Sequence, residues 1–140
     1  MGKTAFLFAG QGAQLPGMGK ELCEASPAAA AVFAAADSVR AGTSQQCFAG
    51  SQEELNRTIN TQPCVYCVDL AAARALEEAG IHPDAVAGFS LGEVAAMTFA
   101  GGFTDADGFS LYATVPSAWT TPLSAFLRAW WRCSSSTTRR

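Results

Sequence analysis

The residues best placed to do chemistry form one short run, Gly88-Phe89-Ser90-Leu91-Gly92. It follows the apolar stretch Ala85-Val86-Ala87-Gly88-Phe89, read as a strand, and precedes a helical pattern from Leu91 to Ala100. A serine spaced by single residues from two glycines, between a strand and a helix, is the pattern of a nucleophile elbow. So sharp a turn forces strained backbone angles on the serine, and the flanking glycines admit neighbouring backbone without a side-chain clash. The hydroxyl is then lifted clear of the sheet and the Leu91 amide aimed at a substrate oxygen. The helix N-terminus adds positive potential for an oxyanion. The plainer alternative is an ordinary glycine-bounded turn.

A second run, Gly10-Gln11-Gly12-Ala13-Gln14-Leu15-Pro16-Gly17-Met18-Gly19, follows the apolar segment Ala5-Phe6-Leu7-Phe8-Ala9. It is not a phosphate loop, because Met18-Gly19 stands where Lys-Ser or Lys-Thr is needed. It is not a dinucleotide fingerprint either, since Leu15 occupies the last glycine position. What remains is a glycine-bracketed glutamine at the carboxyl end of a strand, where open α/β sheets gather their ligands. Gln11 and Ser90 are therefore expected to face one crevice.

The elements that must position these residues alternate in type. Residues 4–9 read as a buried parallel strand. A short helix is expected around Lys20–Glu24, and another from Pro27 to about Arg40 with Ser26 as N-cap. After a loop, Ser51-Gln52-Glu53-Glu54 reads as a capping box opening a short helix. A long helix is expected over Thr61–Ala79, with Thr61 as N-cap, Pro63 in the first turn and Gly80 as stop. The second strand and its helix follow, and a further helix capped by Thr104 begins near residue 104. This is an α/β pattern with a parallel sheet and flanking helices.

The 140 residues amount to one domain, with 49% hydrophobic and 15% charged residues, the composition of a chain with a sizeable core. The net charge of −3 gives no electrostatic footprint for nucleic acid. No apolar run is long enough to span a bilayer. The N-terminus lacks the features of a secretory signal, so a cytoplasmic location with reduced cysteines is expected. The charge is unevenly spread. Up to Leu111 there are five basic residues and all twelve acidic ones; beyond it there are four arginines, no acid and all three tryptophans. Two compositions meet near residue 111.

The segments Phe8-Ala9-Gly10-Gln11-Gly12-Ala13-Gln14, Pro16-Gly17-Met18-Gly19 and Gly88-Phe89-Ser90-Leu91-Gly92-Glu93 resemble the malonyl-CoA:acyl carrier protein transacylase family, and Thr61-Gln62-Pro63 before a long helix fits as well. The resemblance runs from about Lys3 to Leu111 and covers the first third or so of a family member. It implies residues 1–111 as the N-terminal part of the hydrolase-like large subdomain, with an incomplete parallel sheet. The small inserted subdomain is absent, and residues 112–140 form a non-family tail. It further implies that Ser90 takes up malonyl from malonyl-CoA as an ester. The amides of Gln11 and Leu91 form the oxyanion hole, and the acyl group passes to the phosphopantetheine thiol of acyl carrier protein in fatty-acid synthesis. No cofactor or metal is implied. Most members carry histidine at the position of Phe89.

Two groups are missing. Serine is a poor nucleophile without a base, and His82 is the sole histidine of the chain. At about 3.3 Å per strand residue it stands roughly 20 Å from Ser90, far beyond the hydrogen-bond reach of about 3 Å. By the resemblance, an arginine that pairs with the malonyl carboxylate belongs near position 115, where this chain has Val115. A weakly active or inactive fragment of the malonyltransferase is therefore expected. The alternatives are a non-catalytic fragment that binds the carrier or another subunit, and a small serine esterase.

The other constellations have plainer readings. Cys64-Val65-Tyr66-Cys67 lacks the further ligands of a zinc site and reads as small apolar residues in a helix's first turn, with a redox pair as the alternative. Glu93 reads as a complement to its helix dipole. The cluster Phe126–Trp131, with Arg128 and Arg132, reads as part of a tail of frame-shifted or truncated origin, with a partner-binding or membrane-surface helix as the alternative.

Overall fold

The computed structural model describes residues 2–113. Val115, Cys133 and the Phe126–Trp131 cluster lie outside the described residues. In chain order the elements are β1 (Ala5–Phe8), α1 (Lys20–Ala25), α2 (Pro27–Val39), α3 (Thr43–Ala49), α4 (Gln52–Leu55), α5 (Thr58–Glu78), β2 (Ala85–Gly88), α6 (Gly92–Phe99) and α7 (Asp105–Ala113).

The strands pair in parallel, with Ala5 opposite Ala85 and Phe8 opposite Gly88. The ladder is closed at one end by Asp84 N–H donating to Thr4 O at 2.8 Å, and at the other by Phe89 N–H donating to Phe8 O at 3.1 Å. Parallel pairing in this register brings both carboxyl ends to one edge. The loop carrying Gln11 and the turn carrying Ser90 therefore leave the sheet side by side.

One face of the sheet is covered and the other is open. Phe6 and Phe8 turn inward against Phe99 of α6, with ring centroids 5.6 and 5.9 Å apart. Between them Leu7 points away and is 81% exposed. The expectation of a fully buried strand thus fails on one face, because the described residues cover β1 and β2 on one side only. Behind the sheet α2, α5, α6 and α7 pack into one core. Tyr66 meets Phe109 and Tyr112, and its hydroxyl donates to Thr98 Oγ1 at 3.1 Å.

Most caps form as the sequence expects. Ser26 Oγ accepts from Ala29 N–H, Ser51 Oγ from Glu54 N–H and Thr104 Oγ1 from Asp107 N–H, each at 3.1 Å. Three expectations need correction. The region expected as a loop after Arg40 contains α3, held by tertiary bonds. Helix α5 begins at Thr58, with Arg57 as N-cap and Pro63 inside it. Thr61 is already helical and donates its hydroxyl to the carbonyls of Leu55 and Arg57, at 2.5 and 3.1 Å, instead of capping. Finally, α7 continues past residue 111, and Tyr112 is a core residue, 2% exposed.

Candidate active site

The turn between β2 and α6 is built around its glycines. A Cβ on Gly88 would stand 2.2 Å from the carbonyl carbon of Gly92, and one on Gly92 would stand 2.3 Å from the carbonyl oxygen of Phe8. Strand and helix can approach this closely only without side chains there. The serine between them has φ 54°, making it the one non-glycine residue with positive φ among those described. A β-carbon in left-handed backbone costs roughly 1–2 kcal/mol. The packing of α6 against both strands holds Ser90 in that state.

Ser90 is exposed, and its hydroxyl has no hydrogen-bond partner among the described residues. Its carbonyl accepts Glu93 N–H at 3.1 Å, while Phe89 O accepts Gly92 N–H at 3.0 Å. These two bonds wind the chain into α6. The Leu91 side chain is buried, and its carbonyl accepts the Tyr112 hydroxyl at 2.6 Å. Helix α7 thus braces the elbow from behind, a contact that no local signal in the sequence announces. Glu93 sits exposed in the first turn of α6.

The glycine-rich loop lies directly alongside. A Cβ on Gly10 would meet the Phe89 ring at 2.7 Å and the Phe89 carbonyl oxygen at 2.9 Å, so only glycine fits there. Gln14 fastens the loop from within, accepting Gly12 N–H at 2.9 Å and donating to Asn56 Oδ1 at 2.9 Å. Gln52 Nε2 donates to Gln14 O at 3.3 Å, and Gly17 N–H donates to Cys47 O at 3.1 Å. Gln11 is exposed, with its carboxamide 3.5 Å from Thr58 Oγ1. Neither the Gln11 nor the Leu91 backbone N–H is engaged by another described residue. Two unengaged amides and an unengaged hydroxyl therefore stand on adjoining turns.

Beneath this edge the Asp69 carboxyl of α5 lies against the Ala9 amide, and its Oδ2 is buried without a hydrogen-bond partner among the described residues. Burial pushes its carboxyl up to about 7, against the lesser opposing effect of the Ala9 amide. Sequence reasoning missed Asp69, although an acid in the apolar stripe of a helix was a visible signal. His82 lies at the far end of β2, before Ala85, while Ser90 follows Gly88. The structure keeps the sole imidazole away from the serine. The C-x-x-C pair also needs correction: Cys64 and Cys67 lie beyond the first turn of α5, and both are fully buried.

A parallel sheet whose carboxyl edge carries a strained, exposed serine at a strand-to-helix elbow defines the α/β class of serine acyl-transfer folds. The chain belongs to the acyl transferase domain family, whose model matches residues 5–123. It is 45% identical over 108 residues to the malonyl CoA-acyl carrier protein transacylase of Bacillus subtilis (strain 168), covering 76% of this chain and 34% of that protein. The acyltransferase domain from the second module of the salinomycin polyketide synthase superposes with a TM-score of 0.75 at 43% identity, over 81% of this chain and 27% of the other. A malonyl-transacylase solved in complex with a type II polyketide synthase acyl-carrier protein gives 0.74 at 34% identity, over 80% and 37%. The chain thus spans about a third of the length of these three relatives. No helix among the described residues is long and apolar enough to cross a membrane.

Proposed function

We propose that this chain is the serine-bearing N-terminal portion of an acyl carrier protein S-malonyltransferase, and that it transfers acyl groups weakly or not at all unaided. The observation that carries this reading is the elbow: Ser90 at φ 54°, exposed, with the Gln11 loop packed against Phe89.

The Ser90 hydroxyl attacks the thioester carbonyl of malonyl-CoA, and the amides of Gln11 and Leu91 receive the oxyanion. Collapse of the tetrahedral intermediate expels the CoA thiolate and leaves a malonyl ester on Ser90. The phosphopantetheine thiol of acyl carrier protein then attacks that ester, and the malonyl group leaves on the carrier. Both halves need a base and an acid at the serine. General acid–base catalysis contributes about 10²–10⁴-fold, and no described residue supplies it. The foreign tail that the sequence sets at residues 112–140 starts later than that: Tyr112 is a core residue and the family match runs to residue 123.

A second reading, a non-catalytic fragment that meets the carrier or another subunit, is favoured by the open apolar surface at Leu7, Leu15 and Phe89, which are 81%, 64% and 76% exposed. Incubation with labelled malonyl-CoA and holo-carrier separates the two. Slow labelling confined to the Ser90 peptide, absent from Ser90→Ala, supports the transferase reading. Carrier retention without label supports the second. Label on any other residue refutes the first.

A further inference from the structure

Away from the elbow, a surface recess of about 280 Å³ is lined in part by Arg40, Gln46, Gly50 and Glu54. Its wall is a run of hydrogen bonds. Arg40 Nη1 donates to Gln46 Oε1 at 2.9 Å, Arg40 Nη2 to Asn60 Oδ1 at 2.8 Å, and Gln46 Nε2 to Glu54 Oε1 at 2.7 Å. Directly behind this wall, the Cys64 thiol donates to the same Gln46 Oε1 at 3.6 Å. Cys47 of α3 abuts it, its thiol donating to the Cys64 carbonyl oxygen at 3.9 Å, and the two thiols are close enough to shift each other's ionisation. Both cysteines are fully buried, and the Cys64 thiol is tied directly to Gln46, a residue that lines the recess.

We propose that Cys47 and Cys64 form a peroxide-sensitive dithiol, which closes to a disulfide tying α3 to α5. The redox alternative in the sequence is Cys64 with Cys67, the C-x-x-C pair, but the fold gives Cys64 a neighbouring thiol from another helix. The two thiols are electrostatically unequal. The hydrogen bond from Cys47, and then the Arg40 guanidinium, lower Cys64 against the effect of burial. The same hydrogen bond, together with burial, raises Cys47. Cys64, tied to the recess wall through Gln46 Oε1, is assigned as the attacking sulfur and Cys47 as the resolving one. Cys67 is raised well above its ordinary value by burial, and it stays a thiol.

The chemistry balances with a hydroperoxide as oxidant. The Cys64 thiolate attacks one peroxide oxygen, the O–O bond breaks, and hydroxide leaves, giving a sulfenic acid at Cys64. The Cys47 sulfur then attacks the Cys64 sulfur, the S–O bond breaks, and water leaves with the Cys47 proton. Two thiols and one hydrogen peroxide become one disulfide and two waters. The bridge matters to the loop carrying Gln11, because Cys47 O holds Gly17 N–H at 3.1 Å. Oxidation fixes that anchor to the long helix.

The test is peptide mapping of the full native chain after treatment with hydrogen peroxide, alkylation of remaining thiols and digestion without reductant. The expected product is one cross-linked pair joining the Cys47 and Cys64 peptides, two hydrogens lighter than the separate peptides. The bridge persists in Cys67→Ser and is lost in Cys64→Ser and Cys64→Ala. The wild-type chain should also melt higher after oxidation, reversibly with dithiothreitol. A bridge between Cys64 and Cys67, or Cys64 oxidised to sulfinic acid with Cys47 still alkylatable, overturns the proposal. Should the Cys64 variants fail to fold, the wild-type peptide map decides alone.

Discussion

Replacing Ser90 by glycine should make the chain more stable while removing its nucleophile. Ser90 holds φ 54°, a state that costs an L-residue roughly 1–2 kcal/mol and glycine almost nothing. Glycine forfeits about 0.5–1 kcal/mol through the greater freedom of the unfolded chain, so the net gain is about 0.5–1 kcal/mol. No hydrogen bond is given up, because the hydroxyl has no partner among the described residues. With a urea slope of about 1–3 kcal/mol per molar, the unfolding midpoint should rise by roughly 0.2–1 M. Ser90→Ala keeps the β-carbon and serves as control, with a change within about 0.5 kcal/mol. If Ser90→Gly proves no more stable than Ser90→Ala, the elbow is not strained and the reasoning built on it fails.

Three further outcomes follow from the same geometry. Gly92→Ala drives a β-carbon to 2.3 Å from Phe8 O, and denaturant melts should show a loss of at least about 1–3 kcal/mol. Tyr112→Phe removes the 2.6 Å bond to Leu91 O and leaves that carbonyl with the longer 3.3 Å bond from Val94 N–H, a cost of about 1 kcal/mol, also read in melts. Asp69 carries the pH dependence. Its folded carboxyl is raised from 3.8 to about 7, so the native state holds a proton that the unfolded state releases. Stability should therefore fall between about pH 4 and 7, by something on the order of 2–4 kcal/mol. Asp69→Asn should flatten that slope in thermal melts taken across the range.

What could be read from the chain alone was local. Ser26, Ser51 and Thr104 each reveal a helix start, because a cap is settled within three residues of itself. The elbow and the glycine-rich loop were legible for a similar reason: a strand followed by glycines with one functional residue has few plausible geometries. Helix α3 was not legible. Its polar start, Thr43-Ser44-Gln45-Gln46, is held by Arg40 and by Asp37, which accepts both the amide and the hydroxyl of Ser44. The start of α5 was misplaced because Pro63 suggested a first turn, whereas the helix tolerates it six positions in. The partnership of Cys47 with Cys64 and the bracing of Leu91 by Tyr112 join distant segments, which no spacing along the chain encodes. The exposure of Leu7 depends on what lies over the sheet, and its apolar neighbours could not disclose that.

The central claim is that Ser90 is the acyl acceptor, presented without a base among the described residues. Chemical rescue tests it: the rate of malonyl transfer from labelled malonyl-CoA to the Ser90 peptide, measured as free imidazole is increased. The account predicts slow labelling that rises in proportion to imidazole and vanishes in Ser90→Ala. Labelling that ignores imidazole and survives Ser90→Ala, or an unlabelled Ser90 at every imidazole concentration, would contradict it.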